Sequence, residues 1–278
     1  MTKTRVLAAL VMAPLAIAAI LLLPTQWLAL LAAVVFLGGL WEWLRLAEVE
    51  DTLARTILLV LNLALMVAIV WGSRTGNGLN YVLFQVAAMI GVGWWLLATL
   101  WLRFYDFGSD HDHGARVAKL AAGTFAVVPA WCALVLIHAQ RPNGHLWLFV
   151  ALAIVWAADT GAYFAGRKFG RHKLSPRISP NKTVEGLAGG AVAGVVVGVL
   201  GGILAGTAAS KLPAVALVAL VVVLASAVGD LFESLLKRHA GMKDSGYLIP
   251  GHGGLLDRMD SVLAALPVFA LCKEWLGF

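Results

Sequence analysis

The chain has 278 residues, 61% of them hydrophobic and only 13% charged, with a net charge of +6. A soluble domain is typically about 45–50% apolar with about 25% charge, so a mean hydropathy of +0.87 excludes an ordinary soluble enzyme and points to a polytopic membrane protein. Two cysteines, Cys132 and Cys272, lie in apolar runs without metal-ligand spacing; they read as small packing residues rather than a disulfide framework.

A membrane-spanning helix needs roughly 20 mostly apolar residues. The chain offers nine such runs, at about 6–23, 27–44, 53–71, 81–102, 117–138, 146–165, 186–208, 212–236 and 259–276. Lipid supplies no partner for loose backbone, so each run is expected to be helical and the fold class all-α. The first run follows Lys3 and Arg5, but no small-x-small cleavage site leads into a soluble domain, so it reads as a span rather than a removable leader. Pro24-Thr25-Gln26 makes a tight turn, which sets spans one and two antiparallel. Trp27, Trp41, Trp43, Trp71, Trp101 and Trp147 fall near span ends, as interfacial aromatics should. The segment 103–116 contains His111, Asp112 and His113; adjacent side chains on a loop rarely converge on one ion, so it reads as solvated. Span seven is glycine-rich, with Gly190 four residues from Gly194 and Gly198 four from Gly202. That face suits close helix packing, within the chain first and as a dimer seam second. The chain divides by content into spans one to five (1–145) and a catalytic region of spans six to nine (146–278).

Seventeen of the 21 lysines and arginines lie at the N-terminus or in and beside the loops after spans two, four, six and eight, against four elsewhere. The positive-inside rule places the first set in the cytoplasm, with the N-terminus inside and the C-terminus outside. The same rule puts two polar clusters, 167–185 and 237–258, on one face.

The second of these clusters extends into the flanking helices. Between Gly229 and Ser261 stand Asp230, Glu233, Lys237, Arg238, Lys243, Asp244, Asp257, Arg258 and Asp260. Charges crowded at the ends of apolar helices are expensive and mark function by default. On a helix continuing to Arg238, Asp230, Ser234 and Lys237 share a face, with Glu233 beside it. Asp257 and Asp260 are three apart and suit a helix start, where the dipole favours acids. A hard cation takes one or two carboxylates plus substrate phosphates and water, which suits Asp230 and Asp257. Lys237, Arg238, Lys243 and Arg258 supply positive charge for a polyphosphate. Pro250-Gly251-His252-Gly253-Gly254 has little side-chain bulk, so its N–H groups can approach phosphate oxygens.

The first cluster begins inside span six at Asp159-Thr160. It continues through Arg167, Lys168, Arg171, Lys173 and Arg177 to Ser179-Pro180-Asn181-Lys182-Thr183. Thr183 or Asn181 is expected to cap span seven, and a helix start preceded by a lysine is an anion site. No P-loop is present. For Arg171, Lys173 and Arg177, a role as topology signals facing anionic lipid is equally consistent.

These residues carry a resemblance. Ser234-Leu-Leu-Lys237-Arg238, then Lys243-Asp244-Ser-Gly246, then Ile249-Pro250-Gly-His252-Gly253-Gly254-Leu-Leu-Asp257-Arg258-Met-Asp260 resembles the signature of the phosphatidate cytidylyltransferases (CDP-diacylglycerol synthases). Asp159-Thr160-Gly161-Ala-Tyr163 and Ser179-Pro180-Asn181-Lys182-Thr183-x-Glu185-Gly186 resemble that family as well. The motifs cover about 150–275; the first 150 residues match only as a hydrophobic region of suitable length. The resemblance implies conversion of CTP and phosphatidate to CDP-diacylglycerol and pyrophosphate at the cytoplasmic face of the inner membrane. It also implies a homodimer in the lipid bilayer and a Mg²⁺ ion, with K⁺ as a candidate second cation; no nucleic-acid partner is expected. By the same resemblance Asp230 and Asp257 are metal ligands, with Asp260 and Ser234 close by. Lys237, Arg238, Lys243 and Arg258 hold phosphates, while Asp244, His252, Gly253 and Gly254 shape the nucleotide pocket. Asn181 and Lys182 close it from the other cluster. No strong general base is assigned, since the nucleophile is already an anion.

Two other readings compete. A secondary transporter explains many spans and an acid within one, but transporters bind near the midplane in repeated broken helices; here the polar groups gather at one face and no repeat is seen. A sister enzyme that activates another lipid phosphate, such as a prenyl-type ether lipid, with CTP would carry similar clusters.

Overall fold

The computed structural model describes residues 2–76, 78–110, 112–247 and 253–278, with side chains from Met12 onward. Nine α-helices occupy the nine expected places among the described residues: α1 (Thr2–Leu22), α2 (Thr25–Leu46), α3 (Thr52–Gly72), α4 (Val82–Trp101), α5 (His113–Ala139), α6 (Gly144–Phe169), α7 (Val184–Leu204), α8 (Leu212–His239) and α9 (Asp260–Leu276). Seven, α2 to α8, are long and apolar enough to cross a membrane by length and composition. α9 has 17 residues, a little short of a full span at 1.5 Å rise per residue. The chain is a multi-pass, almost wholly helical membrane protein.

Local chemistry sets the helix starts. Asp51 caps α3, its carboxylate accepting from the Leu53 and Ala54 N–H groups. Asp112 caps α5 by accepting from the Ala115 N–H, so this residue of the 103–116 segment serves the helix; His111 lies outside the described residues. Thr183 Oγ1 accepts from the Gly186 N–H at 3.1 Å, which makes Thr183 rather than Asn181 the cap of α7. Such a cap satisfies donors that lipid cannot.

Two short hairpins interrupt the helices. β1 (Arg74–Thr75) pairs with β2 (Gly78–Leu79), and β3 (Lys173–Ser175) pairs antiparallel with β4 (Ser179–Thr183). The second hairpin falls where the sequence suggests only a basic loop. Strands of three and five residues, Lys-Leu-Ser and Ser-Pro-Asn-Lys-Thr, give no apolar alternation, which is why the pattern hides the hairpin.

α5 is the central post. Every residue from Ala126 to His138 is buried, and the helix packs on α2, α4, α6 and α9. One continuous apolar core runs from Ile20 to Leu271, so residues 1–145 and 146–278 share it. Phe232 of α8 sits in an aromatic nest with Trp43, Trp94, Trp95 and Trp101 at 5.3–6.1 Å, the spacing at which ring quadrupoles attract. α3 lies at the periphery, with Leu53, Ile57, Val60, Leu61, Val67 and Trp71 exposed as a lipid-facing side requires.

α7 wedges between α6 and α8. A Cβ at Gly190 would sit 2.7 Å from the Ala158 carbonyl oxygen of α6, and one at Gly198 would sit 2.6 Å from Ala219 Cβ of α8. The small-residue face is therefore spent within the chain. Gly198→Leu overfills this seam and is expected to cost about 1–3 kcal/mol of folded-state stability, read as a lower unfolding midpoint in detergent. Val196→Leu, on the exposed side of the same helix, should stay within about 0.5 kcal/mol of the parent.

Candidate active site

The fold gathers both polar clusters at one end of the bundle. The ends of α6 and α8, the start of α7, hairpin β3–β4 and the approach to α9 meet there. Arg238 Nε donates to the Ile178 carbonyl at 3.2 Å, tying the end of α8 to the hairpin. Arg177 reinforces the junction through Asp106 at 2.8 Å and a stack on Tyr105, 4.2 Å from the ring centre. His239 Nε2 is 2.7 Å from the Tyr105 carbonyl, so one loop clamps both clusters.

A cavity of about 610 Å³ opens between α6, α7, α8 and β4. Its polar side chains include Asp159, Arg167, Asn181, Lys182 and Asp230; Ala158, Leu187, Gly190 and Val223 supply apolar wall. That volume is in the range of small-molecule sites. Lys182 of β4 and Asp230 of α8 form an ion pair across it, with side-chain exposures of 26% and 31%. Two segments 48 positions apart thus build one wall. Asp159 lies close enough to Asp230 for the two carboxylates to repel, and Lys182 offsets both.

Two turns further along α8, Lys237 Nζ donates to Glu233 Oε2 and to Asp257 Oδ1, each at 2.7 Å. Asp257 stands in a 3₁₀ turn (Leu256–Arg258) ahead of α9. Its Oδ2 accepts from the Gly254 N–H at 2.8 Å and the Ser245 N–H at 3.1 Å. Burial pushes the Asp257 carboxyl up, but the Lys237 ammonium and the Gly254 N–H outweigh it and hold the group below the usual carboxylate range. Gly253 has φ +86°, and a Cβ there would sit 2.9 Å from Asp257 Oδ2; both the backbone and the space call for glycine.

Between the two lysine-centred pairs lie further acids. Glu233 is 1% exposed, and its Oε1 has no hydrogen-bond donor among the described residues. Asp257 and Asp260 are its charged neighbours, and Asp260 in turn feels Asp230. Carboxylates cannot bond one another without a shared proton or cation, so this row of Asp159, Asp230, Asp260, Glu233 and Asp257, with two lysines against it, calls for one or the other. No three Asp, Glu, His or Cys side chains converge as a ready-made metal site among the described residues.

Of the expected residues, Asn181, Lys182 and Asp230 line the cavity. Lys237, Asp257 and Gly254 form the adjoining network, with Gly253 against it. Ser234 is half-buried on α8, and Asp260 opens α9, where its Oδ1 accepts from the Ser261 N–H. Lys243, Asp244 and Arg258 are exposed on the loop outside the cavity lining. Arg238 turns to the hairpin carbonyl. His252, Pro250 and Gly251 lie outside the described residues. Asp230 and Asp257 each meet a different lysine.

Sequence reasoning left Asp159 and Glu233 outside the site and missed Glu42 of α2 altogether. Glu42 is 3% exposed; its Oε2 accepts from Ser245 Oγ at 3.0 Å and from the Leu256 N–H at 2.8 Å. The available signal was a lone acid inside an apolar span, Trp41-Glu42-Trp43.

Comparison with known proteins agrees with this geometry. Residues 3–275 match the cytidylyltransferase family. A phosphatidate cytidylyltransferase of Pseudomonas aeruginosa is 43% identical over 273 residues, covering 97% of this chain and 96% of its own. That of Haemophilus influenzae is 32% identical over 283 residues, covering 97% and 98%. That of Bacillus subtilis is 46% identical over 128 residues, covering 45% and 46%. With a match along nearly its whole length and the family's polar motifs folded into one site, the chain belongs to the cytidylyltransferase family.

Proposed function

We propose that the protein is a phosphatidate cytidylyltransferase, joining CTP and phosphatidate into CDP-diacylglycerol with release of pyrophosphate. The observation that carries this reading is a cavity with the Lys182–Asp230 pair on one wall and apolar residues on the others, adjoined along α8 by the Lys237–Asp257 pair. Such a site offers charge to a nucleotide and greasy surface to a lipid. Two relatives of nearly equal length bear the same activity in their names.

In the proposed reaction a phosphate oxygen of phosphatidate attacks the α-phosphorus of CTP. The new P–O bond forms as the bond from the α-phosphorus to the bridging oxygen breaks, and that oxygen leaves with pyrophosphate. Both reactants are anions, so catalysis is mostly positioning and charge neutralisation. Lys182 and Lys237 would do this from opposite sides of the acidic row, exchanging part of their carboxylate contacts for phosphate oxygens. Arg238, Lys243 and Arg258 would draw the polyphosphate toward the loop, and Asn181 would close the cavity over it. Lys237 also keeps Asp257 ionised and aimed.

A divalent cation fits the donor set. The acids are hard oxygen donors, and Glu233 Oε1 is buried without a donor among the described residues. Asp230 and Asp257 would hold Mg²⁺, with Asp260 adjoining and K⁺ as a candidate second ion. When bound, the divalent ion neutralises phosphate charge and polarises the phosphoryl group under attack. The proposal extends to sidedness. Seventeen of 21 cationic residues belong to the N-terminus and the loops that the alternation of spans puts on the site's side, so the site would face the cytoplasm from the inner membrane, with the C-terminus outside. A homodimer would form through lipid-facing helices such as α3.

Purified protein in detergent, given CTP, Mg²⁺ and phosphatidate, should release pyrophosphate, with none released when ATP replaces CTP or EDTA is added. Folded protein that stays silent with several lipid phosphates would overturn the reading. Asp257→Asn should remove turnover at normal protein level, and retained turnover would sink the metal assignment. Lys182→Ala should lower kcat/KM by roughly tenfold to 150-fold, the worth of about 1.5–3 kcal/mol for a charged hydrogen bond.

A further inference from the structure

Glu42 lies some two hundred positions before the loop it touches. We infer that Glu42 is a positioning residue for the reaction, holding both arms of the 243–258 loop so that Asp257 faces Lys237. The inference rests on the reading of this loop as catalytic.

The contacts form a closed knot. Ser245 uses both its donors: its Oγ donates to Glu42 Oε2 and its N–H donates to Asp257 Oδ2. The other arm repeats the pattern, with the Leu256 N–H on Glu42 Oε2 and the Gly254 N–H on Asp257 Oδ2. Each carboxylate therefore bridges both arms. Remove Glu42 and Ser245 keeps its N–H bond to Asp257 but loses its hydroxyl's acceptor, while the Leu256 N–H loses its own.

Packing agrees with the hydrogen bonds. A Cβ at Gly246 would run into the Glu42 carboxylate, with its Cδ 2.6 Å away, and one at Gly254 would collide with Ser245 Oγ and Glu42 Oε2. Two glycines of the loop are thus fitted against one side chain. A turn up α2, a Cβ at Gly38 would lie 2.9 Å from Leu255 Cδ2, and one at Gly39 would strike the Met259 sulfur. α2 is a cradle for 254–259. Its place is fixed in turn by Trp43, which stacks on Phe232 of α8 at 5.9 Å and donates from Nε1 to the Lys119 carbonyl at 2.8 Å.

A purely structural acid has little reason to lie here. Glu42 is the one acid of α2 and 3% exposed, and its Oε1 meets no donor among the described residues. A buried acceptor without a donor is costly, and that cost is retained at the residue that shapes the loop.

The test compares Glu42→Ala, Glu42→Gln and Ser245→Ala by hydrogen exchange and by cytidylyl transfer. Glutamine keeps an acceptor oxygen at the right reach; alanine keeps none. In Glu42→Ala the amides of Ser245, Gly246, Gly254 and Leu256 should exchange faster while those of α2 and α8 stay protected. Its kcat should fall about a hundredfold, as charged hydrogen bonds to a buried acceptor suggest, with KM for phosphatidate within about twofold. Ser245→Ala should lower kcat about tenfold by losing one of those bonds. Combining it with Glu42→Ala should add little, because both act through one contact. Glu42→Gln should recover most of the loop protection and of kcat. Loop protection unchanged in Glu42→Ala, multiplicative losses in the double variant, or faster exchange throughout α2 and α5 would each overturn the proposal. If Glu42→Ala fails to accumulate, Ser245→Ala and Glu42→Gln decide the matter by loop exchange alone. The exchange readout needs no turnover, so an inactive parent protein would overturn the proposed function and leave the placement of Glu42 separately judged.

Discussion

Everything at the working end of this protein follows from housing acidic side chains where water is scarce. A lone acid at the end of an apolar helix would neutralise or drag the helix outward. Here Lys237 reaches two acids at 2.7 Å and Lys182 crosses from another segment to a third. Each lysine joins elements that the chain order keeps apart, so the electrostatic need is also what brings β4, α8 and the approach to α9 together. Asp257 shows the balance best. Burial works against its charge, and one ammonium with a backbone N–H reverses the outcome. Its contribution to stability is therefore present above the ordinary carboxylate pKa and is lost as pH falls through the lower folded value.

Close packing makes that arrangement rigid. The α6–α7–α8 seam is built on glycines, so backbones approach where side chains would hold them apart. The cavity lies at the mouth of this seam, and its walls inherit the stiffness of three helices. On the other flank the Phe232 nest locks α8 to α2 and α4, which sets the height of Glu233 and Lys237 relative to the loop.

Much of this was legible in the residues. Nine apolar runs foretold nine helices, because in lipid a run of that length has one way to satisfy its backbone. The acids and lysines of 229–261 stood out against a chain with little charge, and the union of that segment with Lys182 and Asn181 was readable from the motifs. Hairpin β3–β4 was not, since its strands bury no alternating face. The pairing of Lys182 with Asp230 rather than with a ligand, and of Arg238 with a carbonyl, depends on side-chain reach that spacing does not encode. Glu42 was hidden for a different reason. Its partners are one hydroxyl and one backbone N–H, and a backbone group carries no letter in the sequence.

The fit of Gly246 and Gly254 against Glu42 has a consequence for how this chain can change over evolutionary time. Positions 42, 246 and 254 fill one volume from two sides. A larger residue at either glycine is admissible only after the carboxylate has withdrawn, and a smaller residue at 42 opens a hole that the glycines cannot fill. Drift at any one of the three is blocked while the others stand. The fit requires the three to change together, so that a substitution at position 42 is tolerated or rejected according to what a loop two hundred residues downstream already contains.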